Sequence, residues 1–210
     1  MTKEKSVLLD NLEVIKWCYD GITEISLKNS SDEKKLKEPN KSEKLWGNTI
    51  IGGKRNGGQW TTKLCEKLAL EGLIRLGRKN VRRTIAKKST LRSKKYNPDL
   101  ECDNYVYEVK GRNWTTPGTA GEKILGVPLK YGEVPKLYDK PLQIILVGYQ
   151  EYEAREGFAC GDLLDKNEQT KELKESLAFY KERNIEYVAF TDILKKIGLT
   201  YGCWKKKLNK

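Results

Sequence analysis

The sequence predicts an α/β (α+β) fold in which a mixed central β-sheet is flanked by helices. Residues 59–76 carry leucines at helical spacing and are followed by Gly77, which is typical of an amphipathic helix. Residues 105–110 are rich in aromatic and β-branched side chains, as strands are. Residues 142–149 form a continuous apolar run of strand length, which a buried strand requires. Because helical and strand segments alternate along the chain, we expect a sheet covered by helices.

The elements before the first long helix are less regular. Apolar residues at helical spacing predict one or two helices within residues 5–27. Residues 30–44 are dense in Lys, Glu, Asp and Ser and predict an exposed linker. Several glycines predict a loop over residues 45–58. We therefore divide the chain into an N-terminal helical segment with its polar linker, residues 1–44, and a main domain, residues 45–210.

The second half of the chain supplies the rest of the predicted sheet. Residues 97–102 predict a turn and a short strand, which a hairpin turn at Asp103 and Asn104 joins to the strand that follows. Residues 115–138 predict a loop and then a helix broken near Pro128. The last predicted elements are a helix, a strand and a short helix, over residues 167–183, 185–191 and 192–197.

Charge and composition limit the functions open to this chain. It has 210 residues, with 41 Lys and Arg against 29 Asp and Glu, which gives a net charge of +12. Such an excess attracts polyanions, of which nucleic acid is the common one. The chain has no histidine. Histidine-based catalytic triads and histidine-ligated zinc hydrolases are therefore excluded, and a hydrolytic site must use carboxylates, lysine, tyrosine or a hard metal ion.

Cysteine spacing and the lack of long apolar segments predict a cytoplasmic protein. No two of the five cysteines lie within four positions of each other, whereas a zinc finger needs closely spaced ligand pairs. No apolar run approaches the roughly 20 residues of a membrane span, and the N-terminus lacks the apolar stretch of a secretory signal. We expect reduced thiols, a cytoplasmic location and no membrane partner.

Two acidic residues and a lysine form the candidate catalytic site. Glu108 and Lys110 are two positions apart on a predicted strand, so their side chains share one face. If the hairpin forms, Asp99 on the preceding strand approaches Glu108 across the sheet. Carboxylate oxygens of this kind suit Mg²⁺. The metal would polarise a phosphate and lower the pKa of a bound water, and the lysine would orient or deprotonate that water.

The acid-x-lysine pattern alone is common in a lysine-rich chain. It occurs at four places, and only Glu108 and Lys110 lie on an apolar strand with a Pro-Asp pair upstream. The alternative is a surface strand with an ordinary cross-strand salt bridge. Pro98-Asp99 and the neighbouring basic segment favour the catalytic interpretation. Asp103 is a second candidate ligand, but the hairpin turn requires it, which favours Asp99.

This pattern resembles the motif of the PD-(D/E)xK nuclease superfamily, over about residues 59–197. The residues that carry the resemblance are Pro98, Asp99, Glu108, Val109 and Lys110. The superfamily core is similar in element order, with a helix, a three-stranded meander, a helix and a strand. The resemblance implies that Asp99 and Glu108 bind Mg²⁺ together with the Val109 carbonyl. It also implies that Lys110 supports the attacking water.

Within this superfamily the chain most resembles type II restriction endonucleases. Its size suits a stand-alone enzyme, it has no Gly-rich ATPase motif, and residues 118–126 look like stretches of small restriction enzymes. Many superfamily members carry a further glutamate on the preceding helix. Glu66 fits this catalytic position, with a solvated helix residue as the alternative. The resemblance implies Mg²⁺-dependent, site-specific hydrolysis of double-stranded DNA that leaves 5′-phosphate ends. A structure-specific nuclease and a non-catalytic DNA-binding module are the alternative functions.

Residues 78–95 are the predicted phosphate-binding surface, with nine basic residues and no acidic one. These are Arg78, Lys79, Arg82, Arg83, Lys87, Lys88, Arg92, Lys94 and Lys95. The alternative is a solvated basic stretch, and adjacency to the catalytic turn favours DNA contact. Arg112 and Asn113, which leave the catalytic strand, and Lys123 in the following loop are further predicted DNA contacts. Cutting both strands of a palindromic duplex needs two active sites, so we expect a homodimer.

Overall fold

A mixed five-stranded sheet forms the centre of the protein. A computed structural model describes residues 8–22, 37–52, 60–91, 93–114, 122–156, 163–164 and 169–201. The strands are β1 Arg82–Arg83, β2 Lys87–Lys88, β3 Lys95–Tyr96, β4 Leu100–Glu101, β5 Val106–Arg112, β6 Leu142–Gly148 and β7 Ile185–Ala189. The main sheet has the order β1-β4-β5-β6-β7, and β2 and β3 pair separately. Because β1, β4 and β5 are antiparallel neighbours while β5, β6 and β7 are parallel, the predicted mixed sheet is confirmed.

Helices cover both faces of this sheet. The α-helices are α1 Leu12–Asp20, α2 Lys37–Ile50, α3 Trp60–Arg75, α4 Val127–Lys130, α5 Val134–Tyr138, α6 Tyr149–Glu156, α7 Lys171–Glu182 and α8 Phe190–Lys196. Among the described residues, short 3-10 helices span Leu8–Asp10 and Glu122–Gly126. One core cluster joins α1, α3 and α8 to one face of the sheet, and a second joins α4, α5 and α7 to the other. The predicted α/β class with flanking helices is confirmed.

The apolar run over residues 142–149 supplies β6, an interior strand that lies between β5 and β7. Ile144 and Leu146 of β6 pack into one core cluster and Ile145 and Val147 into the other. All four are fully buried, so both faces of β6 are apolar from Ile144 to Val147. Burying each such side chain stabilises the fold by about 1.5–3 kcal/mol. The neighbouring β5 pairs with β6 along its whole length, which fixes the position of the strand that carries the candidate site.

A close approach fixes α3 against β5. Gly111 has no side chain, and a Cβ built on it would lie 2.1 Å from Sγ of Cys65 on α3. Glycine at this position lets the helix backbone come near the strand. Since Glu66 is the next residue on α3, this contact also sets the position of Glu66 along β5.

The predicted linker is wrong over residues 37–44, and the predicted loop is wrong over residues 45–50, because both belong to α2. Pro39 falls in the first turn of this helix, where its missing N–H breaks no helical hydrogen bond. The predicted division of the chain after residue 44 therefore falls inside a helix. Residues 30–36 of the predicted linker lie outside the described residues.

Tertiary packing explains why a polar segment is helical here. Trp46 lies 6.0 Å, centroid to centroid, from both Trp17 of α1 and Trp60 of α3. Gly47 faces the same Trp60 ring, where a Cβ would lie 2.1 Å from a ring carbon. The aromatic cluster buries one side of α2 and overrides its polar composition.

One boundary near the C-terminus also differs from the prediction. The strand predicted over residues 185–191 ends at Ala189, and α8 begins at Phe190. Glu151, a fully buried carboxylate of α6, accepts hydrogen bonds from the Thr191 amide at 2.9 Å and from the Thr191 hydroxyl. A carboxylate at this place satisfies a first-turn N–H and favours an early helix start. Within the described part of the chain, no helix combines the length and apolar character needed to cross a bilayer.

Candidate active site

The β4–β5 hairpin brings Asp99 opposite Glu108. Leu100 pairs with Tyr107 in the antiparallel ladder, so one further step along the register sets Asp99 against Glu108. Directly opposed residues on antiparallel strands point to the same face. The turn at residues 103–104 makes this pairing possible, as the sequence predicted. The two carboxylates therefore meet at the point where β4 begins.

The Asp99 side chain, rather than a backbone carbonyl of the neighbouring strand, accepts the hydrogen bond of the Val109 N–H. Its Oδ2 accepts a hydrogen bond from the Val109 N–H at 2.7 Å. In the antiparallel pattern, the amide and carbonyl of Val109 both point toward the β4 side. Pro98 stands opposite Val109 on that side and has no N–H to donate to its carbonyl. The register thus presents the Val109 carbonyl next to the Asp99 carboxylate.

The carboxylates of Asp99 and Glu108 repel each other when both are charged. Burial, and then the nearby charge of Glu108, raise the pKa of Asp99 to about 7, against the opposing effects of the Val109 N–H and Lys110. Glu66 adds a smaller increase to the same pKa, so this helix residue belongs to the electrostatic surroundings of Asp99. A site of this kind favours a bound cation, which would relieve the repulsion between the carboxylates.

Glu108 and Lys110 project from the same face of β5 and form an ion pair. Glu108 is 3% exposed, and its Oε2 is buried without a hydrogen-bond partner of ordinary geometry. Lys110 is partly exposed, so its amine lies at the mouth of the site. One oxygen of Glu108 is therefore neutralised by the lysine, and the carboxylate also lies beside the Tyr131 hydroxyl.

Two neighbours of these residues could not be found from the sequence. Burial and the charge of Glu108 raise the pKa of the Tyr131 hydroxyl, which lies beside that carboxylate from the turn after α4. Burial also raises the pKa of the Cys65 thiol, with Glu66 adding to the effect. The thiol is thus held protonated, which argues against a cysteine nucleophile. Neither residue stood in a pattern that linked it to the strand.

Glu66 lies at the edge of the candidate site and is already paired. Its Oε2 accepts a hydrogen bond from Arg83 of β1 at 2.7 Å. This ion pair ties α3 to the first strand of the sheet. The structure therefore brings together Asp99, Glu108, Lys110 and, more peripherally, Glu66.

The donor set fits a hard divalent cation. Across the described ranges, no group of three or more His, Cys, Asp or Glu side chains converges as a metal site. The oxygen donors here are instead two carboxylates, of Asp99 and Glu108, and the Val109 carbonyl. Two observations support the fit: the buried Oε2 of Glu108 has no hydrogen-bond partner of ordinary geometry, and the pKa of Asp99 is raised. Oxygen ligands with room for water are what Mg²⁺ prefers.

The predicted phosphate-binding cations fall into two groups. Arg82 pairs with Glu101 at 2.8 Å, Arg83 is held by Glu66, and the guanidinium of Arg78 lies 4.9 Å from the centre of the Tyr105 ring. These three arginines make contacts within the protein, to α3, β4 and the β4–β5 turn. The lysines of the segment, Lys79, Lys87, Lys88, Lys94 and Lys95, are exposed, as are Lys123 on the 3-10 helix Glu122–Gly126 and the paired Arg82 and Arg83. Arg92 lies outside the described residues.

Arg112 and Asn113 face the interior, which does not fit their predicted contact with DNA. Arg112 is 8% exposed and pairs with Glu153 of α6 at 3.1 Å. Asn113 is 7% exposed and donates a hydrogen bond to Glu43 of α2 at 2.7 Å. These contacts join the end of β5 to two helices. No local pattern signals them, because both partners are distant in the chain.

Comparison with protein-family models, with curated proteins and with solved structures finds no match to this chain.

Proposed function

We propose that this protein is a Mg²⁺-dependent endonuclease of the type II restriction kind, which cuts double-stranded DNA at specific sites. The observation that carries the proposal is the convergence of Asp99 and Glu108 from paired strands, with Lys110 on the same face as Glu108. The arrangement lies beside an exposed basic hairpin that leads within three residues into Asp99. Acidic cation ligands and basic DNA contacts thus adjoin each other.

Each residue has a defined part in this proposal. Asp99, Glu108 and the Val109 carbonyl would hold the metal, which when bound polarises the phosphate and activates water. Lys110 donates a hydrogen bond to the reacting phosphate or its attacking water and offsets the charge that develops there. Glu66, which forms an ion pair with Arg83, places negative charge near Asp99. This charge makes binding of a cation at Asp99 more favourable. No histidine is needed, and the chain has none.

Digestion of supercoiled plasmid and of a four-way junction separates the proposed function from its alternatives. Discrete linear plasmid fragments with 5′-phosphate ends, formed with Mg²⁺ and absent with EDTA, are expected. Cutting of the junction alone would indicate a structure-specific nuclease. DNA binding without cutting under any divalent ion would indicate a non-catalytic binding module. Mass measurement in solution tests the expected homodimer.

Variants distinguish this site from a contaminating nuclease. Glu108→Gln keeps the size of the side chain and removes its charge, and cutting should stop while binding remains. Lys171→Gln is the matched control, because Lys171 is an exposed lysine on α7, at the opposite edge of the sheet. Cutting by Glu108→Gln at the rate of the control would overturn the assignment of the site.

A further inference from the structure

The β2–β3 hairpin is a two-stranded ribbon that stands apart from the main sheet. It comprises Lys87–Lys88 and Lys95–Tyr96 with the described connecting residues 89–91 and 93–94, and we call it the basic ribbon. Its strands pair only with each other within the described residues. A short two-stranded ribbon has little stability alone, so its position depends on what supports it.

Helix α5 and its surroundings brace the basic ribbon from one side. The Glu133 carboxylate accepts hydrogen bonds from Ser89 at 2.6 Å and from Thr90 at 3.1 Å. The Tyr138 hydroxyl lies 2.8 Å from the carbonyl oxygen of Ile85 and 3.1 Å from that of Tyr96. Ile85 ahead of β2, the start of the connection and the end of β3 are therefore bonded to this side of the protein, which orients the ribbon.

The inner and outer faces differ in chemistry. Lys87 and Tyr96 are register partners, and they face the protein: Tyr96 is 3% exposed, and the Lys87 amine donates to the Leu137 carbonyl at 2.9 Å. By alternation, the next pair, Lys88 and Lys95, faces outward. Both are exposed, and no ion pair joins either of them to a described residue.

Two lysines directly opposite each other on neighbouring strands are unfavourable without an anion. Like charges at such a position destabilise the pair. Because Lys88 and Lys95 are register partners, their amines extend from adjacent points of the same face. A polyanion placed against this face removes the repulsion and gains two contacts, so the outer face is complementary to phosphates.

The connection also carries an apolar side chain in water. Leu91 is 82% exposed at the tip of the basic ribbon, and Ile85 beside β2 is 75% exposed. Neither side chain is part of the two core clusters. The Leu91 N–H donates a hydrogen bond to the Ser89 hydroxyl at 3.1 Å. An exposed apolar side chain at this place suits contact with base edges and thymine methyl groups, whereas a surface that bound phosphates alone would need only the lysines.

We propose that the basic ribbon enters the major groove of duplex DNA, with Lys88 and Lys95 on phosphates or guanine acceptors and Leu91 against the base edges. Strands about 4.8 Å apart with their side chains fit a groove about 12 Å wide, which admits a two-stranded ribbon. Asn97 and Pro98 connect the ribbon to Asp99, so DNA held there lies beside the catalytic residues. This inference rests on the proposed function and adds the element that reads the DNA.

Binding of a short mixed-sequence duplex, followed by anisotropy in the Glu108→Gln background without metal, tests the charged pair. Lys88→Gln with Lys95→Gln should reduce the slope of log affinity against log salt by about 2. The control is Lys171→Gln with Lys181→Gln, two exposed lysines of α7, which removes the same charge and should leave the slope unchanged. Equal slopes for the two double variants would overturn the proposal.

Groove occupancy is tested by modifying the DNA. A duplex whose cytosines carry bulky glucosylated 5-hydroxymethyl groups in the major groove should bind at least about tenfold more weakly, and netropsin in the minor groove should have little effect. Duplex RNA of the same sequence should also bind about tenfold more weakly, because its major groove is too narrow. Insensitivity to the glucosyl groups, or RNA binding as tight as DNA binding, would overturn groove entry.

The tip is tested with Leu91→Ala, which should weaken binding about tenfold, against Leu45→Ala, a 71% exposed leucine of α2, which should not. Wild-type affinity of Leu91→Ala would remove Leu91 from the contact. These binding results are independent of cleavage. If the protein binds DNA as described but never cuts it, the nuclease proposal is refuted and the ribbon proposal stands. If the protein cuts DNA but substitutions in the basic ribbon leave DNA binding unchanged, the ribbon proposal is refuted and the nuclease proposal stands.

Discussion

Replacing Asp99 by asparagine should stabilise the metal-free protein above neutral pH and abolish the proposed cutting of DNA. The carboxyl is partly buried beside Glu108, and its pKa in the folded protein is about 7, against an ordinary value of 3.8. Asparagine keeps an oxygen that can accept the Val109 N–H and loses the charge that repels Glu108. The substitution therefore removes an electrostatic penalty and keeps the hydrogen bond.

The sign and size of this effect follow from proton linkage. Between pH 3.8 and about 7 the folded protein binds the Asp99 proton more tightly than the unfolded chain does. The stability that comes from this proton is fully present below the unfolded pKa and is lost as the pH rises through the folded pKa. At about 1.4 kcal/mol per pKa unit, the loss above neutral pH approaches roughly 4 kcal/mol. An asparagine side chain does not titrate and has no such loss, so the gain from the substitution grows with pH.

Urea unfolding in EDTA, followed by tryptophan fluorescence at several pH values, measures the difference. Asp99→Asn should match the wild type within about 1 kcal/mol near pH 4 and exceed it by several kcal/mol near pH 8. Asp103→Asn is the control, since Asp103 is an exposed carboxylate of the same hairpin, and its profile should follow the wild type. A variant that is less stable than the wild type at alkaline pH would refute the mutual repulsion of the two carboxylates.

Substitutions at three other positions test the chemistry of the site and the packing around it. Lys110→Ala should lower the single-turnover cutting rate by about 10²–10³-fold while changing the dissociation constant for DNA in EDTA only a few-fold. Gly111→Ala should lower the free energy of unfolding by about 1–3 kcal/mol in urea titrations, because the new Cβ meets the Cys65 side chain. Adding Cys65→Ala to this variant should restore part of the lost stability. Glu71→Ala should cost about 1–3 kcal/mol, because the buried Leu9 N–H loses the carboxylate that accepts it at 3.2 Å, whereas Arg75 is partly exposed and keeps its ion pair with Asp10; amide hydrogen exchange should then rise first around Leu9.

Local pattern was enough to predict the elements that build the candidate site. The hairpin turn at residues 103–104, the alternation of β5 and the apolar run of β6 each have a direct sequence signal. With the turn in place, the register that sets Asp99 opposite Glu108 follows from the period of the strands alone. The face shared by Glu108 and Lys110 follows in the same way.

Contacts between distant parts of the chain were beyond prediction. The helical state of α2 depends on Trp17 and Trp60, which lie on other helices, while its own composition indicates a linker. Arg112 looked like a DNA contact because it is charged and follows the motif, and only the position of Glu153 shows that it is buried in an ion pair. Within the basic segment, charge alone does not indicate which cations face inward and which face outward.

Single-turnover cleavage of plasmid DNA by the wild type and by Glu108→Gln, with Mg²⁺ and with EDTA, tests the central claim most directly. The account predicts specific fragments from the wild type with Mg²⁺ only, and a rate at least about 10³-fold lower for Glu108→Gln, which should still bind the same DNA. Equal rates for the two proteins, or cutting by the wild type that persists in EDTA, would contradict the assignment of these carboxylates as the catalytic centre.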